Sequence, residues 1–167
     1  MSDLLIRDAR SDDLPALTAI YDHWILTSDA IFLDEPVGSQ VMADKLAAMG
    51  PPDRFLVAEA EGRVVGFAAS GPHRPRPLYD VRELSVYLAP DVAGRGVGRA
   101  LYDRLIAHAD ASGVHSLVGV VALPNAASEA LHRAVGFERV GVLRELGHKG
   151  GRRIDVALWQ RMNPLPH

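Results

Sequence analysis

Gly94, Gly96 and Gly98 stand at alternate positions in the run Ala93-Gly94-Arg95-Gly96-Val97-Gly98-Arg99. Three positions without a Cβ let backbone amides approach a ligand closely. The residues after them, from Val97, alternate in the manner of an amphipathic helix, so the loop ends at a helix N-terminus. Free N–H groups and the helix dipole there favour an anion. A pyrophosphate is the natural guest, and the chain is expected to handle a phosphate-bearing cofactor.

Three kinds of phosphate loop compete for this segment. A Walker A loop needs Gly-Lys followed by Ser or Thr where the helix starts, and here Gly98 is followed by Arg99-Ala100. A dinucleotide fingerprint needs a third glycine in the G-x-G-x-x-G register. Counting from Gly94 that place is Arg99, and counting from Gly96 it is Leu101. The remaining pattern is G-x-G opening a helix after a strand, with a hairpin upstream.

The elements that must hold this loop follow from periodicity. Leu4 to Ala9 reads as a strand. Ser11-Asp12-Asp13 offers an N-cap and an acidic first turn for a helix to about Thr27, carried by Leu14, Leu17, Ile20, Tyr21 and Trp24. Residues 28–38 read as irregular, and a second helix is expected over Ser39 to Met49. Arg54 to Glu59 and Arg63 to Ser70 form a hairpin about Glu61-Gly62. The proline-rich stretch from Gly71 to Tyr79 is expected to be neither helix nor central strand. Val81 to Leu88 is the strand before the glycine loop, and Val97 to Ala111 the helix after it. Ser116 to Ala122 is a buried strand, and a short helix runs from Pro124-Asn125 to about Val135. Phe137 to Leu146 and Arg152 to Gln160 make a last antiparallel pair. This order predicts one α/β domain over residues 1–167, a mixed and mostly antiparallel sheet with helices on both faces.

Composition narrows the classes. Hydrophobic residues make up 48% and charged residues 23%, as in ordinary globular domains. A net charge of −3 with no basic stripe argues against nucleic-acid binding. There is no cysteine, which removes disulfides and thiolate chemistry. No apolar run reaches membrane-spanning length, and Met-Ser-Asp-Leu-Leu-Ile-Arg lacks a signal-peptide pattern. A cytoplasmic location without a membrane partner is expected. The histidines show no HxH or HExxH spacing, so no metal site is expected.

The strand Glu83 to Leu88, the loop Ala93 to Leu101 and the later segment Asn125 to Phe137 resemble the GNAT acetyltransferases. Within them, the chain is similar to the phosphinothricin and methionine sulfoximine N-acetyltransferase group. That likeness rests on Arg74-Pro-Arg76-Pro-Leu-Tyr79, Glu83-Leu-Ser-Val-Tyr87, Leu131-His132, and Gly147-His-Lys149 through Gln160. The resemblance spans Ile6 to Arg161. It implies acetyl-CoA as co-substrate, with backbone groups of Val86, Tyr87 and Leu88 along the pantetheine arm. Ala93, Gly94, Arg95, Gly96, Val97, Gly98 and Arg99 would surround the pyrophosphate, and Asn125 with Ser128 would flank the arm. One departure is Ala93, where the superfamily commonly carries Gln or Arg. Backbone amides do the main work of such a loop, so little loss is expected.

Transfer of acetyl from a thioester to an amine needs a base, an oxyanion donor and proximity. Glu83 is the candidate base by its place in the motif, and the Leu88 N–H the candidate oxyanion donor. His132 stands where many GNAT proteins carry a tyrosine that protonates the leaving thiolate. A packed helix histidine is the simpler account of it. Arg74 and Arg76 sit two apart in a proline-stiffened chain, so both guanidiniums can turn to one carboxylate or phosphinate. With Phe32, Pro75, Tyr79, Glu83 and Ser85 they define a pocket for a small amino-acid-like substrate. Trp24 continues an apolar helix stripe and is expected in the core. His148 and Lys149 receive no firm role, and Arg95, Arg99 and Arg133 lie near the coenzyme's phosphates.

The expected activity is N-acetylation of an α-amine by direct attack, without an acyl-enzyme. Acetylation of a protein N-terminus or a polyamine is the alternative within this class. A coenzyme-binding regulatory module without turnover is the alternative outside it. The resemblance also implies a homodimer.

Overall fold

The computed structural model describes residues 4–74 and 80–164. Seven strands form one sheet: β1 (Leu4–Asp8), β2 (Phe55–Ala60), β3 (Arg63–Pro72), β4 (Val81–Leu88), β5 (Ser116–Ala122), β6 (Glu138–Lys149) and β7 (Arg152–Met162). Their order across the sheet is β1-β2-β3-β4-β5-β7-β6. Every neighbouring pair is antiparallel except β4 and β5, which run parallel. The helices are α1 (Leu14–Thr27), α2 (Gly38–Ala47), α3 (Val97–Ala111) and α4 (Ala126–Ala134). The mixed, mostly antiparallel sheet flanked by helices is the architecture that the periodicity predicts.

Side-chain alternation sorts the layers. Phe67 and Tyr87, partners across β3 and β4, contact Tyr21 of α1. Glu83 and Ser85 share that face of β4. Leu84 and Leu88 point to the other face, where Tyr102 and Gly98 of α3 meet them. α3 buries Val97, Leu101, Tyr102, Leu105, Ile106 and Ala109 at helical spacing. β2 reads Phe-Leu-Val-Ala-Glu-Ala and is buried almost throughout, because it lies between β1 and β3 with helices above and below.

Several boundaries differ from the expectation. Asp13, not Ser11, completes the first helical turn: its Oδ2 accepts the Arg10 N–H at 2.8 Å, and Arg7 grips the same carboxylate. This guanidinium holds the Asp13 carboxyl below the usual carboxylate range. α2 starts at Gly38 and ends at Ala47. β3 continues through Gly71 and Pro72, which pair with Glu83 and Arg82. The proline is tolerated because its nitrogen faces away from β4, on the side where pairing with β2 has stopped at Ala69. β6 runs on to Lys149 by absorbing irregularities between Arg139 and Gly141 and between Leu143 and Gly147.

Candidate active site

The parallel pair β4–β5 is short. Val81, Arg82 and Glu83 pair with Ser116, Leu117 and Val118, and there the pairing ends. β4 continues to Leu88 against β3, and β5 continues to Ala122 against β7. The two strands therefore diverge beyond Glu83, leaving a wedge open in the middle of the sheet.

The backbone groups facing this wedge follow from the ladder. His73 N–H donates to Val81 O at 3.3 Å and Ala89 N–H to Val65 O at 2.9 Å. In an antiparallel pair such residues alternate, so positions 81, 83, 85, 87 and 89 direct N–H and C=O into β3. Leu84, Val86 and Leu88 direct theirs toward the wedge. Two of these carbonyls have partners: Leu88 O accepts from Trp24 Nε1 at 2.7 Å, and the Tyr102 hydroxyl lies 3.4 Å from Leu84 O. The amides of Val86 and Leu88 face the open side. Tyr87 turns its backbone into the β3 ladder, and its ring packs on Phe67 and Tyr21.

The mouth of the wedge is the glycine loop. A 3-10 turn at Pro90–Val92 ends β4, and Ala93, Gly94 and Arg95 then lead exposed into α3. Gly94 and Gly96 adopt φ of +76° and +79°, and nothing lies within 4 Å of where a Cβ would stand on either. Gly96 is the N-cap of α3 and Val97 its first residue. Gly98 is buried, with Leu88 and Leu131 at van der Waals distance from a Cβ placed there. The first amides of α3 thus stand at one end of the wedge, aimed as an anion site requires. Arg95 and Arg99 are exposed beside them, and Arg99 reaches Asp103 at 3.4 Å. An elongated ligand with an anionic end and an amide-bearing arm fits this channel: phosphates at the α3 amides, amides along Val86 and Leu88.

Asn125 is the N-cap of α4, its Oδ1 accepting the Ser128 N–H at 3.1 Å, which leaves its Nδ2 as a donor. His132 is 3% exposed. Its Nδ1 lies 2.8 Å from Ser128 O and donates to it, while Nε2 faces the Tyr102 hydroxyl at 3.5 Å. Tyr102, Phe137 and Trp159 surround the ring, and a Cβ on Gly119 would collide with it. Burial pushes the imidazole pKa down, so the neutral ring is the favoured state. Burial likewise raises the Tyr102 hydroxyl.

Glu83 lies at the apex of the wedge on the α1 face, 41% exposed in its side chain. Its Oε2 is 2.9 Å from Nδ1 of His73, a partner that no sequence signal marked. The neighbouring Arg82 is 2% exposed on the opposite face, 3.0 Å from Asp53. Ser85 is half-buried beside Glu83. Arg74 is exposed just beyond the end of β3, while Pro75, Arg76 and Tyr79 lie outside the described residues.

The irregular stretch between α1 and α2 is docked on the β6–β7 turn. Lys149 is buried, and its Nζ donates to the carbonyls of Ile25, Ser28 and Ile31, the last two at 2.6 and 2.9 Å. Gly150 N–H donates to Asp34 at 2.8 Å, and Arg152 pairs with Asp29 at 2.7 Å. Phe32, 37% exposed, lies over Gly147, where a Cβ would strike its ring. His148 is exposed, and Arg133 lies over the Trp159 ring at 5.4 Å. Among the described residues no group of three potential ligands is gathered for a metal, and no helix is long and apolar enough to cross a membrane.

The profile of the acetyltransferase (GNAT) family matches residues 17–137. The chain is 43% identical to a phosphinothricin N-acetyltransferase of Alcaligenes faecalis over 93% of this chain and 81% of that one. A crystal structure of ribosomal-protein-alanine N-acetyltransferase from Brucella melitensis superposes with a TM-score of 0.91 at 41% identity, covering 95% of this chain and 99% of that one. A GNAT phosphinothricin acetyltransferase from Sinorhizobium meliloti, solved in complex with acetyl-CoA, gives a TM-score of 0.91 at 34% identity over 96% and 88%. The wedge, the glycine loop at the α3 N-terminus and the family profile agree: the chain belongs to the GNAT acetyltransferase family.

Proposed function

We propose that the protein transfers acetyl from acetyl-CoA to the α-amine of a small amino-acid-like substrate, of the phosphinothricin, methionine sulfoximine or methionine sulfone type. The observation that carries this reading is the Glu83 carboxylate at the apex of a wedge whose far end is a helix N-terminus. Val86 and Leu88 amides hold the pantetheine arm, with Asn125 Nδ2 across from them. The glycine loop and the first amides of α3 hold the pyrophosphate. Acetyl-CoA supplies an activated thioester and, on release of acetyl, a competent thiolate leaving group.

Glu83 takes the proton that the substrate amine sheds as it attacks. The Leu88 N–H stabilises the oxyanion, and the Trp24 indole keeps the Leu88 carbonyl from presenting a competing dipole. His132, neutral and with its Nδ1–H bound to Ser128 O, serves as a packed support for the wedge floor. A thiolate with a free-thiol pKa of about 8.5 can leave with water as its acid. The arm approaches from the α3 face and the amine from the α1 face, where Phe32, Ser85 and Tyr87 stand. Arg74, with Arg76, receives the substrate's acid group. A second copy of the chain packs on β6, an edge strand that exposes Val140, Val142, Leu143 and Leu146.

The name of the Brucella relative favours one second reading, acetylation of a protein's N-terminal alanine. The test is thiol release from acetyl-CoA with phosphinothricin, methionine sulfoximine, methionine sulfone, common amino acids, spermidine and an alanine-ended peptide. Turnover on the acidic amino-acid analogues is expected. Turnover on the peptide alone would replace the substrate, and silence throughout would leave a coenzyme-binding module.

A further inference from the structure

We propose that His73 is a positioning residue for Glu83. The inference rests on the reading of Glu83 as the base and extends it to a second residue.

The placement is built by backbone. His73 follows the last residue of β3, and its N–H donates to Val81 O at 3.3 Å, adding one more rung to the β3–β4 ladder. The rung before it pairs Gly71 with Glu83. His73 and Glu83 are therefore diagonal neighbours on one face, at a separation that long side chains bridge. Nδ1 and Oε2 meet at 2.9 Å. Holding Oε2 fixes the rotation of the carboxylate and leaves Oε1 for the amine.

The surroundings give the histidine this task. Arg82 lies on the other face and pairs with Asp53. From β4 the Tyr87 phenol and from α3 the Tyr102 phenol feel the Glu83 charge, and burial keeps both protonated. Arg74 and Asp80 flank the pair in the chain and are exposed. Among the described residues, His73 is the one side chain hydrogen-bonded to Glu83.

Each turnover deposits one proton on Glu83. The amine N–H bond breaks and a carboxyl O–H bond forms. The carboxyl then passes that proton from Oε1 to water, to which the 41% exposed side chain gives access, and the carboxylate is restored with Nδ1–H still on Oε2. No other reactant is consumed, and one proton reaches solvent.

His73→Ala is expected to lower kcat about 10-fold as the base loses its fixed orientation, with the KM for acetyl-CoA unchanged. His73→Leu, which fills the space without a donor, should be as slow as His73→Ala. His73→Asn, which keeps a donor near the Nδ1 position, should recover most of kcat. Adding His73→Ala to Glu83→Gln should cost little beyond Glu83→Gln alone. Wild-type kcat in His73→Ala, or a His73→Asn as slow as His73→Leu, would overturn the positioning role. If Glu83→Gln itself turns over normally, the base assignment fails first. A dead Glu83→Gln beside a fully active His73→Ala leaves the base standing and removes only His73.

Discussion

The indole of Trp24, in α1, donates to the carbonyl of Leu88, the last residue of β4, at 2.7 Å. The bond ties a helix on one face of the sheet to the open side of the diverging strand. It leaves Leu88 with one polar group facing the wedge, its N–H. Trp24→Phe keeps most of the packing and removes the donor. Stability should fall by about 1 kcal/mol, and kcat should fall with it as the Leu88 carbonyl turns free. A calorimetric melt with steady-state rates checks this, and an unchanged kcat would remove the indole from any part in the oxyanion site.

Gly119 of β5 lies where a Cβ would enter the His132 ring. Tyr102, Phe137 and Trp159 leave that ring nowhere to go. Gly119→Ala should therefore cost about 1–3 kcal/mol by overpacking. Combined with His132→Ala, the two losses should be strongly less than additive, because the second change makes room for the first. Urea melts of the four proteins test the coupling. Simple additivity would mean that the ring moves aside freely.

The buried imidazole of His132 has its pKa pushed below the ordinary 6.5 by desolvation. A depressed folded value means the unfolded chain binds the proton first. The stabilisation is thus complete above pH 6.5 and is lost progressively as pH falls from there through the folded value. His132 should titrate by NMR below 6.5 and should give a melting temperature that declines on the acid side. A midpoint at or above 6.5 would contradict a dry, neutral ring.

Phe32 rests on Gly147. Gly147→Ala should push the ring away from its seat and raise the KM of the amine substrate several-fold, leaving the KM of acetyl-CoA alone. Equal effects on both constants would indicate a general disturbance of β6.

Lys149 places a cation on three carbonyls that end α1 and begin the following loop. Hydrogen bonds from a charged donor contribute about 1.5–3 kcal/mol each when their loss leaves acceptors buried. Lys149→Met should cost about 3 kcal/mol and speed hydrogen exchange across residues 28–37 more than in β2 or α3. Uniform acceleration would mean that the loop has no stability of its own to lose.

Most of the scaffold was legible because local signals carried it. The helices α1 and α3 follow apolar spacing, the β2–β3 turn follows Glu61-Gly62, and the α3 N-terminus follows Gly94 and Gly96. What escaped depends on which strands stop pairing, and where. Nothing in the order of residues says that Pro72 can continue a strand because its neighbour has already ended. The site divides in the same way. Glu83 and the loop were marked by motif, whereas His73 reaches Glu83 only through a ladder rung, and Lys149 reaches Ile25 across more than a hundred residues of chain. A turn lysine reads as solvated until the hairpin folds over the loop and buries it.

The Lys149 tripod recognises main chain alone. Its three acceptors are carbonyls that any amino acid would offer, so the anchor is blind to the identity of residues 29–33. The wall of the pocket can be rewritten, at Phe32 or Leu33 for instance, while the tether that shapes it stays intact. Such a division lets a lineage try new amines by side-chain exchange without refolding the mouth of the site, and it makes that loop the natural place to redesign selectivity.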